Sequence, residues 1–202
     1  MIKFFLKNCK RPEGVFGKVI VQAMNKGHAS LSLWAFEVCQ LADGEKVLDV
    51  GCGGGGNLVR ILERCPESYA DGIDYSEESV VCSRKATRKF EDRCSILCGD
   101  AMRLPYKDDT FDRVVSFESI YFWPDPVHGL EEIYRVLKQG GKVMLASEMT
   151  DPEKGRFWTK RCEGMTIYTA DQLISFFEKA GFSDIRVHRT RKVWCAVEGV
   201  KP

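Results

Sequence analysis

The chain has 202 residues, 44% of them hydrophobic, and its 30 basic and 29 acidic side chains give a net charge of +1. This length predicts a single domain with its own core, and the near-neutral charge argues against recruitment to nucleic acid or to a membrane. The nine cysteines are odd in number and lack the paired spacing of metal ligands, which predicts a cytoplasmic protein with reduced thiols and no bound metal.

Two helices are predicted near the N-terminus. Apolar residues recur at helical spacing between residues 16 and 41, with a polar break near the middle. Residues 1–44 are therefore predicted as a helical cap. Either Met24, Asn25 and His28 close over a ligand, or the cap only covers one edge of a sheet, and the sequence leaves both interpretations open.

A glycine-rich turn between residues 47 and 57 is the centre of the pattern. It follows a short apolar strand and precedes a helix, an arrangement in which backbone N–H groups hold nucleotide-like ligands. Gly51, Gly53 and Gly56 satisfy the G-x-G-x-x-G pattern of dinucleotide-binding proteins. Starting at Asp49, the same turn also satisfies D-x-G-x-G-x-G, and so resembles the turn of class I S-adenosylmethionine (SAM) methyltransferases. The turn alone does not separate these two ligands.

Two further acids follow predicted strands. Asp74 ends the strand 69–74 about 20 residues past the first glycine, the spacing at which a carboxylate reaches the ribose hydroxyls of an adenosine ligand. Asp100 follows the third predicted strand, 94–98. Because ligands of open α/β sheets bind beyond the carboxyl ends of the strands, both acids are expected beside the glycine turn.

Three separated motifs together resemble one family. The glycine turn, the run Gly99-Asp100-Ala101, and Leu104-Pro105 with Phe111-Asp112 are similar to the type 11 branch of the class I SAM-dependent methyltransferases. The resemblance covers about residues 45–148. It implies an α/β, Rossmann-like fold: a seven-stranded, mostly parallel sheet with an antiparallel last strand and helices on both faces. The dinucleotide pattern gives no reason for an acid at the end of the third strand, so the dehydrogenase interpretation falls behind.

This resemblance implies that SAM is the cofactor. Asp49 would contact its methionine amino group directly or through water, Asp74 its ribose, and Asp100 its adenine amino group. The implied cofactor contacts are Asp49, Gly51, Cys52, Gly53, Gly55, Asp74, Tyr75, Asp100, Ala101 and Phe117. Since the methyl group of SAM is already activated on a sulfonium, the chain mainly has to align the acceptor and exclude water.

The end of the fourth strand and the aromatic run after it should border the methyl acceptor. Glu118 is the candidate general base or positioning residue, and Glu148 ends the adjacent strand. For each carboxylate a solvated or salt-bridged role is equally open. The candidate substrate residues are His28, Glu118, Tyr121, Trp123 and Glu148. An acidic, aromatic-lined pocket predicts an aromatic or amine-bearing small molecule, and the lack of an Asn/Asp-Pro-Pro-aromatic motif disfavours a nucleic-acid base.

The C-terminal third completes the domain. Residues 149–168 have no clear period and form either a substrate lid or a structural excursion. Residues 169–202 are predicted as a capped helix and two strands, joined by a solvated hairpin tip with the basic run Arg189, Arg191 and Lys192.

The resulting prediction is a SAM-dependent methyltransferase that transfers a methyl group to a small molecule by direct in-line displacement, as a monomer or homodimer. Two alternatives stay open. One is a SAM-binding regulatory protein without chemistry, and the other is an NAD-dependent reductase.

Overall fold

The computed structural model describes residues 14–190 and 193–202. Its strands are β1 (Lys46–Val50), β2 (Tyr69–Asp74), β3 (Cys94–Cys98), β4 (Phe111–Phe117), β5 (Leu137–Ser147), β6 (Ser183–Arg189) and β7 (Cys195–Val200). Its helices are α1 (Gly14–Gly27), α2 (Ala29–Val38), α3 (Gly56–Arg64), α4 (Glu77–Ala86), α5 (Pro126–Val136), α6 (Arg156–Thr159) and α7 (Ala170–Lys179), with 3₁₀ turns at Arg88–Phe90 and Ile120–Phe122.

The seven strands form one sheet in the order β3-β2-β1-β4-β5-β7-β6. Strands β1 to β5 run parallel, and β7 inserts antiparallel between β5 and β6. The strand order reverses between β1 and β4, and this is the switch point at which ligands of such sheets bind. The predicted seven-stranded sheet with an antiparallel last strand is therefore confirmed.

Helices cover both faces of the sheet because the central strands are apolar on both sides. Leu48 of β1 faces a core that α5 and α7 close with Ile133 and Phe177. Val47, pointing to the opposite face, joins a second core closed by α2, α3 and α4, which includes Leu58. Burial of such side chains contributes ~1.5–3 kcal/mol each. This double burial explains why residues 47–50 of β1 are apolar apart from Asp49.

The sequence predicts helix starts at Ser76, Asp125 and Thr169, whose side chains can cap a helix, and the structure confirms all three. The Asp125 carboxylate accepts hydrogen bonds from the N–H groups of Val127 and His128, each at 3.1 Å, at the start of α5. Ser76 caps α4, and Thr169 forms a reciprocal capping box at the start of α7. Each cap fixes the point at which a loop after a strand turns into the next helix.

The boundaries of β5 and β7 differ from those that the sequence predicts. The apolar spacing predicts a helix through Leu137, but α5 ends at Val136 and the chain is extended from there. Leu137 pairs with Phe111 of β4, and its carbonyl accepts a hydrogen bond from Lys201 Nζ at 2.7 Å. Strand β7 continues to Val200 because it pairs with β5 along its whole length. Long-range strand pairing thus overrides the local pattern.

Residues 149–168 form an irregular excursion that contains only α6. Both ends of this excursion are tied to one residue, Tyr121. The Met149 N–H donates to the Tyr121 hydroxyl at 3.0 Å, and the Thr166 N–H donates to the Tyr121 carbonyl at 2.8 Å. The excursion therefore begins and ends beside the 3₁₀ turn that follows β4.

At the hairpin tip, Arg189 ends β6, while Arg191 and Lys192 lie outside the described residues. Across the two described ranges, none of the helices has the length and apolar character needed to span a membrane. Among the described residues, Cys39, Cys52, Cys65, Cys94, Cys98 and Cys195 are free thiols.

Candidate cofactor and acceptor site

A cavity of about 280 Å³ opens at the switch point, beyond the ends of β1, β2, β3 and β4. Its wall also includes one side of α1 and the turn between α1 and α2. The predicted site residues on the wall are His28, Gly51, Cys52, Gly53, Asp74, Tyr75, Asp100, Ala101, Phe117, Glu118 and Trp123. The fold therefore gathers at one place side chains that the sequence places after four different strands.

Close packing explains two of the glycines in the turn after β1. Gly51 has a φ of +77°, and a Cβ at this position would lie 2.5 Å from the Cβ of Ser119. Gly55, also at +77°, precedes α3, and a Cβ there would lie 3.0 Å from the Cα of Ser83. Only glycine fits such positions without strain. The turn thus holds the N-terminus of α3 against the cavity, where unpaired N–H groups favour an anionic group.

Asp74 holds the glycine turn and also faces the cavity. One oxygen accepts a hydrogen bond from the Gly53 N–H at 2.8 Å, and the other accepts one from the Ser76 N–H at 2.9 Å. Burial raises the pKa of Asp74, and the two N–H groups partly offset this effect. Because each carboxylate oxygen has a second lone pair, Asp74 can still accept hydrogen bonds from a diol.

Asp100 and Ala101 form the wall beyond β3. The Asp100 carboxylate accepts a hydrogen bond from the Met102 N–H at 2.9 Å, which fixes the side chain while leaving it exposed. Tyr75, after β2, lines the same part of the cavity and is about half exposed.

Asp49 lies behind the wall instead of on it. Its side chain is fully buried, and neither carboxylate oxygen has a hydrogen-bond partner among the described residues. Burial, together with the nearby charge of Asp74, raises the pKa of Asp49 to about 8. A buried acid without a partner is costly in its ionised form, so Asp49 is poised to gain from a cation at the turn.

Glu118 is held in a strained backbone conformation at the end of β4. Its φ is +56°, which is uncommon for a residue with a side chain and recurs at functional sites. The Glu118 N–H donates to the carbonyl of Ala146 at 3.0 Å. Its Oε1 accepts hydrogen bonds from the Glu148 N–H and from the Tyr121 hydroxyl, the latter at 3.2 Å. The other oxygen, Oε2, faces His28.

His28 joins two carboxylates at the cavity. Its Nδ1 lies 3.3 Å from Glu148 Oε2 and 3.7 Å from Glu118 Oε2. Burial alone would lower the pKa of His28, but the two carboxylates outweigh it and the pKa is raised. Burial raises the pKa of Glu118 to about 7, although the charge of His28 opposes this shift. His28 and Glu118 can therefore hold and release a proton near neutral pH.

Aromatic side chains form the rest of this end of the cavity. Phe117, Phe122 and Trp123 lie on the wall, and the Trp123 indole N–H donates to Ser119 Oγ at 2.9 Å. Tyr121 and Glu148 are not on the wall but contact Glu118 from behind.

The comparisons with known proteins concern the same region. Residues 48–145 match the family model of the methyltransferase domain. The chain belongs to this methyltransferase family. The match favours the D-x-G-x-G-x-G interpretation of the glycine turn over the dinucleotide one and confirms the resemblance that the sequence motifs carry.

Curated relatives of this methyltransferase include plant and bacterial enzymes. A 2-methyl-6-phytyl-1,4-hydroquinone methyltransferase of Oryza sativa subsp. japonica is 36% identical over 174 residues, which cover 78% of this chain and 51% of the relative. The 27-O-demethylrifamycin SV methyltransferase of Amycolatopsis mediterranei is 34% identical over 114 residues, covering 55% of this chain and 42% of the relative. The chain thus spans about half the length of the plant relatives it matches.

Solved structures show the same fold. A solved complex of the Haloferax volcanii Trm112 methyltransferase activator with a protein described as a putative methyltransferase has a TM-score of 0.80 at 26% identity, with 90% of this chain and 93% of that chain covered. A Thermotoga maritima protein described as a possible histamine N-methyltransferase has a TM-score of 0.72 at 22% identity, with coverage of 92% and 97%.

SAM is the cofactor of this methyltransferase, and the cavity fits it. The glycine turn leaves open a cradle that a side chain would close, and Asp74 and Asp100 face the cavity with acceptor capacity for ribose and adenine. The partnerless oxygens of Asp49 lie directly behind the turn. Of the implied cofactor residues, Asp49 and Gly55 alone lie behind the wall.

Several wall residues are missing from the sequence prediction. Asn57 and Arg60 lie on the first turns of α3 and line the cavity. Their position directly after the glycine turn could have identified them as wall residues. Asn57 Oδ1 accepts a hydrogen bond from Arg60 Nη1 at 3.0 Å. Ser32, Ser79 and Ser119 also line the cavity, and no local pattern distinguishes them from other serines.

Proposed function

We propose that this methyltransferase transfers the methyl group of SAM to a small-molecule acceptor whose reacting hydroxyl, or enol-type carbon, must lose a proton. The observation that carries this proposal is the His28, Glu118 and Glu148 cluster at the aromatic end of the cavity. A methyl donor needs no metal or nucleophilic side chain, whereas a neutral hydroxyl is a poor acceptor until its proton is removed.

At the cofactor end of the cavity, each part of SAM is matched to a side chain of complementary chemistry. Asp74 would hold the ribose, and Asp100 with Ala101 the adenine. For the zwitterionic methionine part, Asp49 lies behind the turn and would ionise as the methionine ammonium binds, while Arg60 supplies a positive charge on the wall. When bound, SAM supplies a methyl group already activated on a sulfonium. The remaining work of the protein is to orient the acceptor, exclude water and take up a proton.

Glu118 is the proposed proton acceptor. With a pKa of about 7, its carboxyl is half ionised near neutral pH, which is the best compromise between availability and basicity. Tyr121 and the Glu148 N–H fix Oε1, so Oε2 is the oxygen left to receive the proton. His28 stabilises the ionised form and connects it to Glu148, whose side chain is partly exposed to solvent.

The relatives support this acceptor class. One is named for a hydroquinone and the other for an O-demethylated compound, so both names denote acceptors with oxygen substituents. The aromatic wall of Phe117, Phe122 and Trp123 suits a planar ring beside that oxygen.

The test is a pH profile with a panel of phenols, enols, alcohols, amines and thiols, measured as release of S-adenosylhomocysteine. Phenolic or enolic acceptors should turn over, with kcat/KM rising as pH increases through about 7. Glu118→Gln should remove this limb and lower kcat by about 10²–10⁴. Glu163→Gln, at an exposed position of the excursion, is the matched control.

Two outcomes would contradict the assignment. In the first, Glu118→Gln keeps the wild-type rate and pH profile. In the second, turnover depends on an added divalent ion, because the same three side chains have ligand atoms within 4.8 Å of one another and a metal would replace the proton.

The remaining expectations stay predictions. A monomer or homodimer without nucleic acid is expected, and the reduced cysteines favour the cytoplasm, although the plant relatives are named as chloroplastic. Size-exclusion chromatography coupled to light scattering tests the first of these.

A further inference from the structure

We propose that the aromatic turn, residues 154–161, is a docking surface for an anionic lipid bilayer. The turn surrounds the short helix α6 and carries two adjacent large apolar side chains. Phe157 is 50% exposed and Trp158 is 40% exposed, whereas Trp123 is 7% exposed. An exposed aromatic pair of this kind marks an interaction site.

Backbone hydrogen bonds at both ends of the turn hold Phe157 and Trp158 in their exposed positions. The Gly155 N–H donates to the Asp151 carbonyl at 2.9 Å, and the Cys162 N–H donates to the Trp158 carbonyl at 2.7 Å. Gly155 and Cys162 are both buried, so the two ends of the turn are anchored in the protein. The rings of Phe157 and Trp158 pack edge to face at 5.3 Å. The backbone thus presents both rings outward as one unit.

The charge around the pair indicates the partner. Lys154, Arg156, Lys160 and Arg161 are all exposed within this stretch. The Arg161 guanidinium lies 3.8 Å from the centre of the Phe157 ring, and the nearby acid Asp151 pairs with Lys154. Trp and Phe at the depth of lipid headgroups, flanked by cations that meet phosphates, are typical of interfacial anchors. Within residues 154–161 there are four cations and no acid, while the exposed acids Glu153 and Glu163 flank the turn.

The segment that carries the turn is anchored beside the acceptor end of the cavity. The excursion that carries it begins and ends at Tyr121, and the Tyr121 hydroxyl contacts Glu118. Docking through Phe157 and Trp158 would therefore bring the acceptor end of the cavity close to the bilayer surface. An apolar acceptor could then pass from the lipid to the cavity without crossing bulk water.

Vesicle co-sedimentation tests the proposal on the whole chain. The probes are vesicles of phosphatidylcholine alone and of phosphatidylcholine mixed with phosphatidylglycerol. The wild-type protein should sediment with the anionic vesicles, release from them at high salt, and bind the neutral vesicles weakly. The double substitution Phe157→Ser with Trp158→Ser should lower the partition coefficient at least about tenfold, since both rings lose their apolar contact.

Three variants make the result specific. Tyr69→Ser removes an aromatic side chain of similar exposure, 54%, at the start of β2 and should bind as the wild type does. Arg156→Glu with Lys160→Glu keeps the rings and should lose the preference for anionic vesicles. Trp158→Phe should bind but lack the blue shift of tryptophan emission that the wild type shows on the vesicles.

The proposal is overturned if the wild type stays in solution with both kinds of vesicle, or if the double serine variant and Tyr69→Ser bind equally well. It is also overturned if sedimentation shows a dimer that the double serine variant abolishes while neither protein binds vesicles, because the surface would then belong to a second copy. Unchanged SAM affinity of the double variant, measured by calorimetry, separates this test from a failure of the cofactor site.

Discussion

A buried carboxyl group without a hydrogen-bond partner keeps its proton to a higher pH, because its ionised form is poorly stabilised there. Among the described residues, Asp49 is in this situation. Its pKa is about 8 in the folded protein, against about 3.9 for an unfolded chain. The folded state therefore binds this proton more tightly. The stability that this proton contributes is fully present below the pKa of the unfolded chain. It is lost as pH rises through the pKa of the folded protein.

Asp49→Asn should remove this pH dependence. Asparagine cannot ionise, so the variant does not lose stability in this way. Its free energy of unfolding relative to that of the wild type should increase between about pH 5 and about pH 9 by on the order of a few kcal/mol. Urea unfolding of both proteins across this range measures the difference. A difference that does not change with pH would show that Asp49 is not the group that takes up the proton.

At the scale of the element, α1 is the part of the cap that closes the glycine turn. Its Val21 and Asn25 pack against Gly54, where a Cβ would lie 2.3 Å from Asn25 Nδ2 and 2.6 Å from Val21 Cγ1. Both side chains also line the cavity. Because valine is branched at Cβ and stiff, it cannot move aside easily. The absence of a side chain at residue 54 therefore allows α1 to approach the cofactor cradle.

Gly54→Ala should displace α1 and weaken SAM binding. The overlap with Val21 should destabilise the protein by about 1–3 kcal/mol and raise the Kd for SAM. Adding Val21→Ala should recover part of the affinity, because it removes one of the two side chains that collide and leaves only the more flexible Asn25 to move aside. Gly27→Ala is the control, since a Cβ there meets nothing within 4 Å. Equal affinities for Gly54→Ala and Gly27→Ala would contradict this role of α1.

Local chemistry predicted the elements where one residue type decides the outcome. Asp125 and Thr169 indicate helix starts, because their side chains accept hydrogen bonds from backbone N–H groups within the next three residues. The end of α5 was predicted wrongly, because Leu137 is not helical but extended, and it pairs with Phe111 of β4. That partner is distant in sequence, and a helical period carries no information about it.

The same division applies to the site. The places of Gly51, Asp74 and Asp100 on the cavity wall were predictable, because each lies at or just after the end of a strand. The approach of His28 to Glu118 and Glu148 was not, because it depends on how α1 and α2 cross the ends of β4 and β5. The positive φ of Glu118 likewise has no signal in the sequence around it.

At the scale of the whole molecule, the sheet divides the cavity into two chemical halves. Strands β1 to β3 end in the glycine turn and the acids that suit an adenosine ligand, while β4 and β5 end in the proton-holding cluster. Methyl transfer requires that the two halves meet at one point, and the switch point between β1 and β4 provides it.

The most direct test of this account is calorimetric titration of the protein with SAM, S-adenosylhomocysteine and NAD, with Asp74→Ala alongside. We expect both adenosyl ligands to bind and NAD not to bind. The substitution should weaken binding, because Asp74 faces the cavity and also holds the Gly53 N–H. Binding of NAD alone, or equal SAM affinity in the Asp74→Ala variant, would contradict the assignment of this cavity to SAM.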